Sequence, residues 1–286
     1  MSKLFLSIDF EDFSHDLGRD LGLWETRPLR IAALTRAYEA IERFLQAHGG
    51  ARATFFCTGI IAQQAPELIA HIAAEGHEIA CHHHFHDCID QETPEAFAAN
   101  LQKALSALRA ASGQPVTGFR APKFRIPQSR SAHYTLLAKH VEYDSSYLCN
   151  TAEAARRFSA SLAPPLKILP IFAARPRALT PKMRLGGTYL KLFSRATAAR
   201  LITASTQAGL APHIYLHPYE FVADQSFALS RAELAPLGPA RAAYWHARQS
   251  QWHKIGNRSL PQKLSALLQN HTLGGRLDEN LTRLAL

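Results

Sequence analysis

Short apolar segments alternate with longer amphipathic segments through most of this chain, and this alternation constrains its fold more than any other feature. The short segments carry apolar residues on both faces, which is typical of strands in a parallel sheet. They are residues 3–9, 53–59, 78–81, 116–119 and 213–216. The longer segments repeat apolar side chains at helical spacing, which predicts helices. They are residues 31–48, 66–74, 94–111 and 195–208.

Alternating strands and helices predict an α/β fold with a parallel sheet or barrel. Polar clusters directly follow several predicted strands, and in such folds catalytic groups collect at the carboxyl ends of the strands. Residues 150–205 are irregular and rich in proline, including Pro176 and Pro181, and they predict an inserted excursion with short strands. The last part of the chain is basic and helical in pattern. We therefore expect a barrel over residues 1–225 and a helical extension over residues 226–286 that packs on it.

The composition fits a folded protein with a sizeable core and an anionic partner. The 286 residues are 47% hydrophobic and only 19% charged, so a disordered chain is excluded. The net charge of +9 favours acidic phospholipid or a phosphate-bearing substrate as partner. Lysine and arginine are spread along the chain without a dense block, so we expect no nucleic-acid partner.

The N-terminal segment and the cysteines bear on localisation. No secretory signal opens the sequence, and no segment reaches the 18 or so apolar residues that a membrane span needs. We expect a cytoplasmic protein, with peripheral attachment to the inner membrane face as an option. Cysteines 57, 81, 88 and 149 form no Cys-x-x-Cys pair and are expected to be free thiols.

An acidic cluster ends the first predicted strand. Residues 9–12 place three carboxylates, Asp9, Glu11 and Asp12, within four positions. Such groups repel one another unless a cation neutralises them or one of them is protonated. A solvated acidic turn is the alternative, and these residues alone would favour it.

A histidine cluster directly follows the third predicted strand, with His82, His83, His84 and His86 inside five positions. Imidazole is the commonest metal ligand, and a catalytic site of the zinc type combines protein ligands with one open position. His82 and His86 can share one face of a helical turn, because they are four residues apart, and are the preferred pair. His83 and His84 are the alternatives.

Three further polar residues stand at the ends of later strands. Arg120 can hold a carboxylate through its planar guanidinium. Asp144 can orient His217 through a charge-assisted hydrogen bond, which would raise the pKa of His217 into the range of a general acid. Taken singly, each of these residues is more often structural than functional.

In this order, the segments resemble the polysaccharide deacetylase family with the NodB homology domain (carbohydrate esterase family 4). The resemblance covers about residues 3–220. The similar motifs are His-x-x-x-His at 82–86, Arg-Ala-Pro at 120–122, Tyr-Asp-Ser-Ser at 143–146 and Leu-His at 216–217. Asp-Phe-Glu-Asp at 9–12, Leu-Gly-Gly-x-Tyr at 185–189 and His-Pro-Tyr-Glu at 217–220 are also similar to deacetylases of bacterial exopolysaccharide and surface-glycan gene clusters.

The resemblance implies a deformed (β/α)7-type barrel and a set of residue roles. Asp9 would be the catalytic base, held by Arg120, and His217 the acid, supported by Asp144. A backbone N–H near Lys123 would stabilise the oxyanion.

The carboxylate that would bind the metal is harder to assign from the resemblance. Most family members have a second aspartate directly after the base, whereas Phe10 stands at that position here. Either Glu11 or Asp12 would then join His82 and His86. We prefer Asp12 slightly, because a shorter side chain is positioned with less loss of entropy.

The implied function is the metal-dependent removal of an N-acetyl group from an amino sugar, with zinc as the default ion and nickel, cobalt or manganese as alternatives. A cytoplasmic protein with a basic surface would suit a nucleotide-linked or lipid-linked glycan precursor. Two other interpretations use the same residues or scaffold: a deformylase of a lipid-linked formamido sugar, and a catalytically inactive glycan-binding protein.

Overall fold

A curled parallel sheet forms the frame of the protein. The computed structural model describes residues 2–127, 132–175 and 182–286, and Pro176 and Pro181 lie outside the described residues. The strands are β1 Ser2–Phe10, β2 Thr54–Cys57, β3 Glu78–Cys81, β4 Gly118–Phe119, β5 Tyr143–Asp144, β6 Leu148–Cys149, β7 Lys167–Ile168, β8 Ile171–Ala174, β9 Met183–Arg184, β10 His213–Leu216 and β11 His271–Leu273. The main sheet has the spatial order β10-β1-β2-β3-β4-β5-β7, and β11 adds to the beginning of β1.

Every pairing within this main sheet is parallel, and helices join most of its successive strands. The helices are α1 Phe13–Asp20, α2 Ile31–Ala47, α3 Gly59–Gln64, α4 Pro66–Ala74, α5 Pro94–Ser112, α6 Ala132–Leu137, α7 Ala152–Ala160, α8 Gly187–Leu192, α9 Arg195–Gln207, α10 Arg231–Leu234, α11 Pro239–Lys254, α12 Leu260–Leu268 and α13 Leu281–Leu284. Among the described strands, β7 and β10 do not pair with each other, so the barrel is open there. The predicted deformed α/β barrel is confirmed.

The two faces of β1 show how the sequence divides the inside of the barrel from the outside. Successive side chains of a strand point to opposite faces. Leu6 and Ile8 point outward and belong to the main hydrophobic core, which lies between the sheet and the surrounding helices. Phe5, Ser7 and Asp9 alternate with them and point inward. The interior therefore changes from apolar at the start of β1 to charged at its end.

The C-terminal segment fills the lower end of the barrel. Leu277, Leu281 and Leu284 pack against Phe5 and Phe56, which are inward-facing residues of β1 and β2. Burying a leucine of this kind contributes about 1.5–3 kcal/mol. The chain end thus closes the mouth opposite to the polar strand ends.

Two sequence-based expectations need correction. The C-terminal segment was expected to be helical, but residues 271–273 form β11 and pair with residues 2–4 of β1. Residues 150–205 are more than an excursion, because they contribute β7 to the main sheet and β8 and β9 to a second, three-stranded sheet. These three strands are only two to four residues long, so they carry little periodicity that a sequence pattern could show. The division at residue 225 stays a prediction.

Other expectations agree with the structure. The four cysteines are free thiols, as predicted, and Cys81 is buried on the outer side of β3 next to Cys57 of β2. Within the described residues, no helix combines the length and the apolar character needed to cross a bilayer.

Glu78 connects the sheet to the C-terminal segment. One carboxylate oxygen accepts hydrogen bonds from the Thr54 hydroxyl at 2.6 Å and the Asp278 N–H at 3.1 Å, and the other accepts from the Tyr143 hydroxyl at 2.7 Å. Burial, with the nearby charge of Asp278, raises the pKa of Glu78 to about 7.

A raised carboxyl pKa in the folded state predicts that stability declines as the pH rises. The contribution of protonated Glu78 is fully present below its unfolded pKa of about 4.5 and is lost as the pH rises through about 7. The effect is on the order of 3 kcal/mol at most. We expect urea unfolding at a series of pH values to show this decline, and Glu78→Gln to remove it. An unchanged pH dependence in Glu78→Gln would contradict the assignment.

Candidate active site at the barrel mouth

A buried ion pair lies at the end of β1. Asp9 is 2% exposed, and its Oδ1 accepts a hydrogen bond of 2.5 Å from Nη1 of Arg120, which follows β4. Arg120 is itself fully buried. The structure thus brings together two residues that the sequence analysis proposed as partners, although they are separated by 111 positions.

Arg120 makes contacts on several sides of the barrel interior. Its guanidinium donates to the Ser7 hydroxyl at 2.8 Å and to the Ser145 hydroxyl at 2.9 Å. It also lies 4.0 Å above the ring centre of Phe56. A buried charge is tolerated only when it is paired and hydrogen-bonded in this way. The orientation of the Asp9 carboxylate is therefore fixed by neighbours that are themselves fixed.

Glu11, His82 and His86 converge next to this pair. Their nearest ligand atoms all lie within 4.8 Å of one another, and all three residues are buried. Glu11 Oε2 is 2.7 Å from His86 Nε2 and 3.4 Å from His82 Nε2. Burial disfavours the charged form of Glu11, yet the two imidazoles hold its pKa well below the usual range. The cluster therefore presents one carboxylate and two imidazole nitrogens to a common point.

Two details indicate that this cluster suits a cation. His82 Nδ1 donates a hydrogen bond of 2.7 Å to the Arg120 carbonyl, which leaves Nε2 directed at Glu11. This is how metal-binding imidazoles are usually oriented. In addition, His82 Nε2 is a buried atom without a hydrogen-bond partner among the described residues, and Glu11 Oε2 is close to His86 Nε2 but makes no hydrogen bond of acceptable geometry. Buried polar atoms rarely stay unsatisfied, and a bound divalent ion would satisfy both.

Asp12, the preferred third ligand in the sequence analysis, has a different role. Its Oδ1 accepts hydrogen bonds from the backbone N–H of Ser14 at 3.0 Å and from the Ser14 hydroxyl at 2.6 Å, and its Oδ2 accepts from Arg30 N–H at 2.7 Å. Asp12 is the N-cap of α1. Because its oxygens are already engaged, the choice of Asp12 is corrected to Glu11.

The other histidines of the cluster do not point into the site. His83 Nε2 lies 3.0 Å from a Glu92 oxygen. His84 packs beside Phe85 and against Gly59, and burial with the nearby Lys103 lowers its pKa to about 4. Of the two pairs considered from the sequence, the structure groups His82 with His86.

His217 lies at the end of β10, on the same mouth of the barrel. Its Nδ1 is 3.1 Å from Oε2 of Glu220, which also accepts a hydrogen bond of 3.0 Å from the His217 backbone N–H. Burial alone would lower the pKa of His217, but the charge of Glu220, with Glu11 and Asp9 beyond it, raises that pKa to about 9. His217 is therefore protonated at neutral pH and can donate a proton.

Asp144 does not support His217, so that prediction is wrong. Its carboxylate accepts hydrogen bonds from the Ser146 hydroxyl at 2.5 Å, the Ser146 N–H at 3.0 Å and the Tyr134 hydroxyl at 3.2 Å. Burial raises the pKa of Asp144 to about 6. Asp144 instead orders the turn after β5, where Ser145 contacts Arg120 and the Ser146 hydroxyl accepts from Ala121 N–H.

Glu220, which the sequence analysis did not propose as a site residue, is the carboxylate that contacts His217. It is fully buried, and its other oxygen lies 3.5 Å from the ammonium of Lys191, which is also buried and donates to the Trp252 carbonyl at 2.6 Å. The signal was present in the His-Pro-Tyr-Glu motif, because a glutamate three residues after an N-cap can reach back to it. That geometry is seen here around His217.

Gly186 explains how the motif at 185–189 approaches the site. Its φ of 141° is a conformation that favours glycine, and a Cβ at this position would come within 2.2 Å of the Tyr215 carbonyl oxygen. Gly187 follows close to the His217 ring. The two glycines let the start of α8 pack directly against β10.

The partner of His217 can be tested by titration. Glu220→Gln replaces a carboxylate by a neutral amide, so we expect the pKa of His217 to fall from about 9 by at least about one unit. NMR titration of labelled histidines measures this change. Asp144→Asn is the matched control and should leave the His217 pKa unchanged. The opposite pattern in the two variants would contradict the assignment of Glu220.

Comparisons with known proteins agree with this geometry. Residues 25–140 match the sequence model of the polysaccharide deacetylase family. A Mycobacterium smegmatis protein assigned as a polysaccharide deacetylase has a similar structure, with a TM-score of 0.57 and 18% identity over 99% of this chain and 91% of that one. A CE4-family pseudoenzyme from Bacillus anthracis also shares the fold, with a TM-score of 0.50 and 13% identity over 98% of this chain.

This chain matches 65% of the length of the Bacillus anthracis protein, which is therefore considerably longer. At these identities the structural matches establish the fold, and the family match rests on residues 25–140. That segment contains His82, His86 and Arg120, three of the residues on which the predicted resemblance was based. The predicted resemblance is confirmed in two respects: residues 25–140 match the sequence model of the polysaccharide deacetylase family, and the chain as a whole shares the fold of these structures.

Proposed function

We propose that this protein is a metal-dependent hydrolase that removes an N-acetyl group from an amino sugar. The observation that carries the proposal is the convergence, at one barrel mouth, of the Glu11–His82–His86 cluster with the Asp9–Arg120 pair and the protonated His217. A pseudoenzyme on the same fold shows that the fold alone is not sufficient for activity. Here a base, a cation site and an acid are all supplied by buried, positioned residues, which favours an active enzyme over a binding protein.

Glu11, His82 and His86 would hold the divalent ion. Two imidazoles and one carboxylate suit zinc by default, and nickel, cobalt or manganese accept the same ligands. When bound, such an ion supplies Lewis acidity, which makes water more acidic and polarises a carbonyl group.

The chain's own residues supply the proton transfers of amide hydrolysis. Asp9 accepts a proton from the attacking water, and Arg120 keeps the Asp9 carboxylate oriented and its charge neutralised. As the carbon–nitrogen bond breaks, His217 donates its proton to the amine nitrogen, because an amide anion would be a very poor leaving group. Glu220 stabilises the protonated His217. The products are acetate and the free amino sugar. A backbone N–H near Lys123 as oxyanion donor is part of the proposal.

We infer that the substrate carries phosphate, as a nucleotide-linked or lipid-linked sugar does. The net charge of +9 supports an anionic substrate. An N-formyl group would require the same residues, so the released acid has to be identified directly.

The assignment of the third ligand predicts different outcomes for neighbouring carboxylates. Glu11→Gln removes one of three ligands, so we expect the affinity for a divalent ion to fall at least about 100-fold. Asp12→Ala should retain the ion and lose about 1–3 kcal/mol of stability, since it removes the N-cap of α1 and leaves the Arg30 N–H without its acceptor. Metal content after dialysis and the midpoint of urea unfolding measure the two effects. Metal loss in Asp12→Ala with retention in Glu11→Gln would reject the proposed ligand set.

The proposed activity is tested by measuring acetate and formate release. The panel consists of nucleotide-linked and lipid-linked N-acyl amino sugars, with a divalent ion supplied. We expect acetate release, and we expect Asp9→Asn and His217→Ala each to lower kcat/KM by about 100-fold or more while the ion stays bound. His140→Ala, an exposed histidine away from the barrel mouth, is the control. Formate as the only product would replace the proposal by a deformylase, and the absence of any release would reject it.

A further inference from the structure

In one long segment of the chain, every Asp, Glu, Lys or Arg position is occupied by a cationic residue. No acidic residue occurs between Glu233 and Asp278, whereas six cationic residues do: Arg241, Arg248, Lys254, Arg258, Lys263 and Arg276. Lys263 is occupied, because it donates to the carbonyls at the end of α8, and Arg276 pairs with Asp278. The other four have no ion-pair partner among the described residues. Their charges are therefore free to act on a partner outside the protein.

Exposed apolar side chains lie in the same region. Tyr244, Ile255 and Leu192 are 60%, 50% and 60% exposed and stand out among the large apolar residues that the structure describes. Tyr244 and Ile255 are eleven residues apart, close to three helical turns, so they lie on the same face of α11 and the residue that ends it. Arg248 lies between them on that face.

Leu192 belongs to the same surface. Gly256 packs against the backbone of Lys191, since a Cβ at Gly256 would lie 2.8 Å from the Lys191 carbonyl oxygen. Leu192 follows Lys191 in the chain and Ile255 precedes Gly256, so both residues adjoin this contact. We call Leu192, Tyr244 and Ile255, together with Lys254 and Arg258, the α11 surface.

A series of ring contacts joins the α11 surface to the barrel mouth. On the inner side of α11, the ring of Trp252 is 5.4 Å from that of Phe13, and Phe13 is 5.1 Å from Tyr219. Tyr219 stacks on His217 at 5.2 Å. Trp245 and Tyr244 continue this aromatic series toward solvent. The α11 surface is therefore connected to the candidate active site by a continuous series of packed aromatic rings.

We propose that the α11 surface docks the protein on an anionic phospholipid bilayer. Tyrosine and tryptophan favour the membrane–water interface, aliphatic side chains enter the acyl boundary, and cations attract acidic headgroups. A nucleic acid would account for the cations and leave Leu192 and Ile255 unexplained. A second copy of the chain would bring like charges together. The docking does not require the proposed hydrolase activity, but it would bring the protein to the bilayer that contains a lipid-linked substrate.

Co-sedimentation with vesicles tests the docking without any substrate. We expect the whole protein to sediment with phosphatidylcholine vesicles that contain phosphatidylglycerol and not with phosphatidylcholine alone. Binding should weaken as NaCl rises from about 0.05 to about 0.5 M, because salt screens the surface charges. Binding to the neutral vesicles alone, or to neither kind, would overturn the proposal.

Two sets of variants separate this surface from the net charge of the protein. Lys254→Glu/Arg258→Glu should lower the vesicle affinity at least about tenfold, and the uncharged change Leu192→Ser/Tyr244→Ser/Ile255→Ser should lower it by a similar factor. Arg43→Glu/Arg157→Glu reverses the same charge at two exposed residues, one on α2 and one on α7, and should have little effect. Equal losses in the control, or full binding by the serine variant, would overturn the proposal.

Two further measurements distinguish a failure of membrane docking from a failure of the proposed hydrolase activity. Circular dichroism confirms that each variant is folded, and release of acetate from a water-soluble substrate should be the same as for the unchanged protein. Binding of DNA that is lost in the charge-reversed variant, without any vesicle binding, would assign the surface to a nucleic acid and reject the bilayer.

Discussion

The arrangement of the barrel mouth depends on one buried cation, the guanidinium of Arg120. Its contacts with Ser7 and Asp9 on β1, with Ser145 after β5 and with the ring of Phe56 on β2 join distant strands across the barrel interior. Its backbone carbonyl also accepts the hydrogen bond that orients His82. A buried ion pair contributes little net stability, because desolvation offsets the attraction between the charges. Its value here is positional, since it links the proposed base to a proposed metal ligand.

The same alternation of side chains along the strands supports both ends of the barrel. Phe5 and Asp9 lie on one face of β1, four residues apart, yet one packs against the C-terminal leucines and the other belongs to the polar mouth. The apolar end is closed by residues more than 260 positions away in the sequence. This separation lets the mouth hold several buried charges while the opposite end supplies hydrophobic stabilisation.

Protonation at the mouth is determined by neighbouring charges more than by burial. His217 and Glu11 are both buried, and burial alone would make each neutral. His217 instead stays protonated because Glu220 and Glu11 lie nearby. Glu11 stays ionised because His86, His82 and His217 lie nearby. Opposite charges thus maintain a protonated imidazole and an ionised carboxylate side by side, which are the forms that the proposed proton donor and the proposed metal ligand require.

The sequence by itself determined the parallel α/β architecture, the strand ends that carry the site, and the residues Asp9, His82, His86, Arg120 and His217. The architecture follows from local periodicity, whereas the roles of the site residues are what the resemblance of their motifs to the deacetylase family implies. Only the tertiary structure decided between Glu11 and Asp12, and only it revealed Glu220 as the partner of His217 in place of Asp144. The alternation from Asp9 directs Glu11 inward, whereas Asp12 is taken up by the start of α1, and Asp144 by Ser146 and Tyr134. Which role each carboxylate takes depends on the hydrogen-bond donors that lie within about 3 Å of it after folding. The pairing of β11 with β1 joins the two ends of the chain, so no local sequence pattern indicates it.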